Sequence, residues 1–142
     1  MEGRINELEM LHRLTADYYS KISAEYGLKF FHIRYILEIC ESPGRQQDSF
    51  VRQLNKSSIA RHMAFLEENG FIERKAREND RRALKIYPTE KSRMIYPKLR
   101  AALEKWEAAL TGDISDEEDR MLERVLLKLK LNAEGFLNGG EE

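Results

Sequence analysis

Cysteine is almost missing from this 142-residue chain: Cys40 stands alone, which excludes an intrachain disulfide framework and a four-cysteine zinc site. No apolar run approaches the ~20 residues needed to cross a bilayer, and the first residues lack the charged-then-apolar order of a signal peptide. Together these absences predict a protein of the reducing cytoplasm with no membrane contact. Proline (3) and glycine (8) are sparse, while 42% of residues are apolar and 35% charged, a balance that favours a folded helical protein over a disordered one. A net charge of −1 gives no overall bias toward nucleic acid, so any basic surface must be local. Also missing are a glycine-rich phosphate loop, paired catalytic carboxylates and a Ser or Cys nucleophile with an adjacent base, so no enzyme and no cofactor is expected. His12, His32 and His62 are scattered and, with Cys40, show no short ligand spacing, so no metal is expected.

What is present is a sequence of periodic segments on a scale suited to one domain, residues 1–142. Ile5, Leu8, Leu11, Leu14, Tyr18 and Ile22 recur at steps of three and four, the stripe of an amphipathic helix. A second helix carries Phe30, Ile33, Ile36, Leu37 and Cys40 and ends at Ser42-Pro43-Gly44; its stripe makes Cys40 a structural thiol. A short helix is expected from Gln46 to Leu54, with Phe50 and Leu54 on one face. Another begins near Asn55, capped by Asn55 or Ser57, carries Ile59, Met63 and Leu66 inward, and stops at Gly70. Two short helices joined tightly predict a helix-turn-helix.

After Gly70 the period falls to two. Phe71–Lys75 and Ala83–Tyr87 flank the polar Arg77-Glu78-Asn79-Asp80, which predicts a β-hairpin with a charged tip. Thr89 and Glu90 open a long helix with Met94, Leu99, Leu103, Trp106 and Leu110, and a Ser115/Glu118 capping box opens a last one with Met121, Leu122, Val125, Leu126 and Leu129. The predicted fold is mainly α with a small hairpin: a winged helix-turn-helix core over residues 28–91 between terminal helices over 1–26 and 92–137.

The stretch from Asn55 to Lys91 carries the chemistry. Lys56, Ser57, Ser58, Arg61 and His62 lie on the outer side of the second short helix, where hydroxyls and a helix N-terminus suit phosphate and Arg61 suits guanine O6 and N7. Residues 73–91 add Arg74, Lys75, Arg77, Arg81, Arg82, Lys85 and Lys91 against Glu73, Glu78, Asp80 and Glu90, a local excess of three positive charges. A polar helix or a charged hairpin alone is usually just a solvated face. Joined in this order, they place a major-groove element beside an arm suited to the minor groove or backbone of double-stranded DNA. A module that only binds protein, with an idle hairpin, is the competing reading, and it would show no salt-dependent affinity for duplex DNA.

The run Lys56-Ser-Ser-Ile-Ala-Arg-His-Met-Ala-Phe-Leu-Glu-Glu-Asn-Gly-Phe-Ile, followed by Asp80-Arg-Arg and Pro88-Thr-Glu-Lys91, resembles the MarR family of bacterial regulators. The order of helices from residue 4 to residue 137 agrees as well, so the resemblance covers nearly the whole chain. It implies a homodimer held by the terminal helices, with Ser57, Ser58, Arg61 and His62 facing the major groove, Arg82 reaching the minor groove, and Asp80 bracing the wing. It also implies a repressor released from a palindromic operator by a small molecule, often an aromatic acid, for which Tyr18, Tyr19 and Phe31 are the candidate contacts. Two departures stand out. The link Leu54-Asn55-Lys56 is about two residues shorter than the family pattern, and Ser92 replaces a glycine often found after Thr-Glu-Lys, a change expected to act only through the better helix propensity of serine.

Overall fold

The computed structural model describes residues 2–50, 55–77 and 80–139. In chain order the elements are α1 (Glu2–Ala24), α2 (His32–Glu41), β1 (Arg45–Gln46), a 3-10 turn (Gln47–Phe50), α3 (Lys56–Glu68), β2 (Ile72–Arg77), β3 (Asp80–Pro88), α4 (Glu90–Thr111) and α5 (Asp116–Leu137). The strands form one antiparallel sheet in the order β1-β3-β2. The chain divides into two compact units, Met1–Ala102 and Leu103–Glu142, with the boundary inside α4.

In the first unit the buried side chains include Ile33, Ile36 and Leu37 of α2 and Ile59, Met63 and Leu66 of α3, as the helical periods select, together with Ile39 of α2, Phe71, Ile72 and Ile86 of the hairpin, and Leu99 of α4. Burying one such side chain contributes roughly 1.5–3 kcal/mol, so the inner face of α3 is a strong anchor for a helix of 13 residues. Cys40, expected on the α2 stripe, is only half-buried, and Ile39 takes the interior position. Burial is the main cause that pushes its thiol pKa up, with Glu41 adding to the rise and Arg93 opposing it.

The segment expected as a helix from Gln46 to Leu54 folds differently, and Leu54 lies outside the described residues. Arg45 and Gln46 pair with Ile86 and Lys85 as a short edge strand, and Gln47–Phe50 make a single 3-10 turn. The cause is local. The Arg45 guanidinium donates to Ser49 Oγ and to the Ser49 carbonyl, and Ser49 Oγ donates to the Gln46 carbonyl at 2.6 Å, closing a tight loop. Phe50 is the one buried residue of that turn, which leaves an α-helix there little to pack.

Three consecutive carbonyls at the exit of α3 are held by the start of α4. Gly70, at φ +79°, turns the chain where an L side chain would be strained. Lys91 Nζ donates to the Asn69 carbonyl at 2.9 Å, Thr89 Oγ1 to that of Gly70 at 2.6 Å, and the buried Ser92 hydroxyl to that of Phe71. The lysine also lies 4.3 Å above the centre of the Phe71 ring. The Thr-Glu-Lys-Ser run is thus a clamp on the end of α3, and Ser92 does more than favour a helix.

In the second unit, Ser115 and Glu118 form the expected capping box: each side chain receives the other's backbone N–H at 3.1 Å. No residue of α5 is buried.

Candidate nucleic-acid interface

Asn55 decides how α3 begins. Its extended backbone and its Oδ1, which accepts from the Ser58 amide and from the Ser57 hydroxyl at 2.8 Å each, make it the N-cap in place of Ser57. Ser58 Oγ in turn accepts from Arg61 Nη2 at 3.1 Å. Lys56 is 76% exposed, with Asp48 at 3.7 Å. The first turn and a half of α3 therefore gathers an amide oxygen, two hydroxyls, a guanidinium and an ammonium, all on the side away from Ile59 and Met63. Hydrogen bonds among Asn55, Ser57, Ser58 and Arg61 hold these groups in place before any partner arrives.

His62, assigned by sequence to the same outer face, is turned inward. Its ring lies 4.7 Å from Phe31, 5.7 Å from Tyr35 and 6.0 Å from His32. Behind it, His32 is 3% exposed, stacks in parallel on Phe65 at 4.5 Å, and accepts the Lys29 backbone N–H at Nδ1. Accepting at Nδ1 fits the neutral ring with its proton on Nε2. Burial, then the nearby His62 and Lys29 charges, lowers the His32 pKa to about 4. The His62 pKa is lowered too, by burial first and by Arg61 second. Both rings are apolar packing at neutral pH and seat α3 against α2.

On the wing, Arg74 is already engaged. Its Nη2 lies 3.0 Å from Glu67 Oε1, its backbone N–H donates to Glu67 Oε2, and its Nη1 donates to Gln47 Oε1 at 3.2 Å. The sequence placed Arg74 among the DNA contacts because charge alone was visible; the acidic partner is seven residues back, on another element. Lys75 remains exposed, 3.9 Å from Glu73 and 5.1 Å from the centre of the Tyr87 ring. Asp80, Arg81 and Arg82 lie on β3, and Arg77 pairs with Asp80 after a register shift at Ala76/Arg77. The side chains of these three lie outside the described residues, as do Glu78 and Asn79 of the tip.

Of the proposed effector contacts, Tyr18 and Tyr19 are neighbours on α1 with ring centres 6.2 Å apart, and Tyr18 donates to the Ala102 carbonyl at 2.9 Å. Phe31 belongs to the histidine cluster under α3. Sequence reading missed Arg45, whose guanidinium lies 4.1 Å over the Phe50 ring, as well as Glu67, Gln47 and the α4 clamp. For the clamp a signal existed: Thr89, Lys91 and Ser92 follow a β-strand that returns beside Gly70. Among the described residues, no group of three or more His, Cys, Asp or Glu side chains could hold a metal ion, and no helix is long and apolar enough to cross a membrane.

No protein-family model matches the sequence. The HTH-type transcriptional regulator YybA of Bacillus subtilis (strain 168) is 32% identical over 103 residues, 70% of this chain and 68% of that protein. Among solved structures, a MarR family transcriptional regulator from Listeria monocytogenes, complexed with 26mer DNA, superposes with a TM-score of 0.86 at 24% identity, covering 97% of this chain and 95% of the other. The crystal structure of MarR gives a TM-score of 0.75 at 25% identity over 94% and 92%. With the capped, polar-faced α3 leading through Gly70 into a basic two-stranded wing, and helices before and after, these likenesses place the chain in the MarR family of winged helix-turn-helix transcriptional regulators.

Proposed function

We propose that this regulator binds double-stranded DNA sequence-specifically as a homodimer, with α3 in the major groove and the β2–β3 wing along the minor groove. The observation that carries the reading is the pre-ordered outer face at the start of α3. Lys56, Ser57 and Ser58 stand where phosphates meet a helix N-terminus, and Arg61 stands one turn further in, where base edges lie. On the wing, Lys75, Arg81 and Arg82 are the contacts, and Asp80 braces them by separating like charges. Arg74 and His62 take supporting positions, since one is ion-paired and the other packed. That a similar fold from Listeria monocytogenes was solved on DNA supports this reading.

Dimerisation follows from surface chemistry. α1 exposes Ile5, Leu8, Leu11 and Leu14, and α5 exposes Leu122, Val125, Leu126 and Leu129. Large apolar residues repeated along two helices have no reason to face water in a monomer, whereas a two-fold pairing covers them and sets two α3 helices about 34 Å apart for a palindromic site. The resemblance adds that the protein is a cytoplasmic repressor, released by a small aromatic effector that meets Tyr18, Tyr19 and Phe31. Recovering bound fragments from genomic DNA, then screening metabolites for release, tests operator and effector together. Affinity for the recovered site is expected to fall steeply with salt, and Arg61→Ala to cost about 1–3 kcal/mol and relax base preference at one position per half-site. Binding that ignores salt would exclude the DNA reading; a loss with base preference kept would make Arg61 a phosphate contact.

A further inference from the structure

The junction of Glu67, Arg74 and Gln47 ties together three elements: the last turn of α3, the edge strand β2 and the 3-10 turn. Because β2 has a neighbour only on its β3 side, an amide pointing the other way has no strand partner. At Arg74 that amide is received by Glu67 Oε2, while Glu67 Oε1 takes the guanidinium of the same residue at 3.0 Å. One carboxylate thus holds both the backbone and the side chain of a single wing residue. The guanidinium's other arm reaches Gln47 Oε1 at 3.2 Å, and the Arg74 side chain is only 20% exposed. An ordinary surface ion pair contributes little to stability. This one differs in fixing a direction, since two bonds to one carboxylate from two parts of one residue restrain how β2 leaves the Gly70 turn.

We propose that Glu67 is a positioning residue that sets the angle of the wing against α3, so that both reach one DNA duplex in register. The proposal rests on the reading of α3 and the wing as DNA-binding elements. Glu67 itself makes no DNA contact in this scheme. Its carboxylate would repel phosphate, and Arg74, neutralised by it, adds no free cation to the interface. The Glu67 side chain is 40% exposed, so its role is in geometry more than in folding.

Glu67→Gln is the discriminating variant, because the amide keeps one acceptor oxygen and puts an N–H₂ donor where the second acceptor was. Operator affinity is expected to fall about three- to tenfold, on the scale of one ordinary hydrogen bond, while affinity for a random duplex does not fall. In an Arg82→Ala background the loss should shrink to less than about twofold, as coupled residues behave. Amide exchange in the free protein should quicken at Arg74 and stay unchanged at Ile86. An equal loss on operator and random DNA, the same loss in both backgrounds, or no loss at all would overturn the proposal. Gln47→Met, which removes only the third partner, should show the same pattern at smaller size, and serves if Glu67→Gln proves unstable. If Arg82→Ala binds operator like the wild type, the wing's role as a DNA arm fails, and the proposed purpose of Glu67 with it; amide exchange would still report whether Glu67 holds β2.

Discussion

α3 and α5 make the sharpest contrast in this molecule. α3 has 13 residues, few of them strongly apolar, yet it is fixed on every side: Asn55 caps its start, Ile59, Met63 and Leu66 are buried beneath it, the His32–Phe65 stack supports its middle, and the Lys91–Thr89–Ser92 clamp holds its exit. α5 has 22 residues, rich in leucine and with its own capping box, and none is buried. The helix that looks polar is complete within one chain. The helix that looks like core has its apolar side chains in water, which is the reverse of what composition suggests. A helix is made stable by what covers its apolar face, and the dimer proposed above would supply that covering to α5.

Breaking the covering should have the largest effect. Leu126, 44% exposed, sits mid-stripe on α5, and Leu126→Asp should abolish dimerisation and operator binding, leaving a monomeric or unfolded chain in sedimentation and circular dichroism. A wild-type chain that sediments as a well-folded monomer at micromolar concentration would remove the contrast altogether.

On the α3 side, the clamp can be opened one bond at a time. Ser92→Ala leaves the buried Phe71 carbonyl with the Thr89 backbone N–H, at 3.2 Å, as its remaining donor and should cost about 0.5–1.5 kcal/mol of unfolding free energy, read as a lowered denaturant midpoint. An unchanged or raised midpoint would mean that the hydroxyl bond contributes nothing, since helix propensity alone favours alanine over serine.

Acid should loosen α3 through a route closed to α5. Folding holds the His32 pKa near 4, against 6.5 for the free side chain, so between these values the unfolded chain binds a proton that the folded one refuses. The contribution is therefore fully present above pH 6.5 and lost as pH falls toward 4. His32→Phe should flatten stability against pH in that window, relative to the wild type; identical slopes in both would show that His32 does not titrate on unfolding.

The smallest effect is expected at Cys40. A half-buried thiol with a raised pKa holds little thiolate, and this sequence has no second cysteine within the chain to trap a sulfenic acid, so Cys40→Ser should leave any response of DNA binding to peroxide unchanged. A response in the wild type that vanishes in the variant would make Cys40 a sensor.

Much of this molecule was legible before any coordinates, because its signals are local. The stripes of α1 and α5, the Ser115–Glu118 box, the left-handed Gly70 and the alternation on either side of the wing tip are set within a few residues of chain, and each element formed where those signals lie. The outer face of α3 was legible too, since a helix of known phase shows which residues oppose Ile59 and Met63. β1 was not: two polar residues, Arg45 and Gln46, become a strand only because β3 returns beside them.

By itself, then, the sequence determined the order and nature of nearly all the elements, and the basic, hydroxyl-rich character of the face they present. Only the tertiary structure decided what its polar and ionisable side chains do. His62 sits at the edge of the helix face, where phase alone cannot say whether a ring lies out in solvent or folds in against Phe31. Arg74 is a cation in the sequence and an ion-paired strut in the fold, because Glu67 comes alongside only once the chain has turned at Gly70. Ser92 gains its role from a carbonyl 21 residues earlier. Periodicity fixes which way a backbone runs, but a charge or a hydroxyl takes its meaning from the partner within 3 Å, and that partner arrives from elsewhere in the chain.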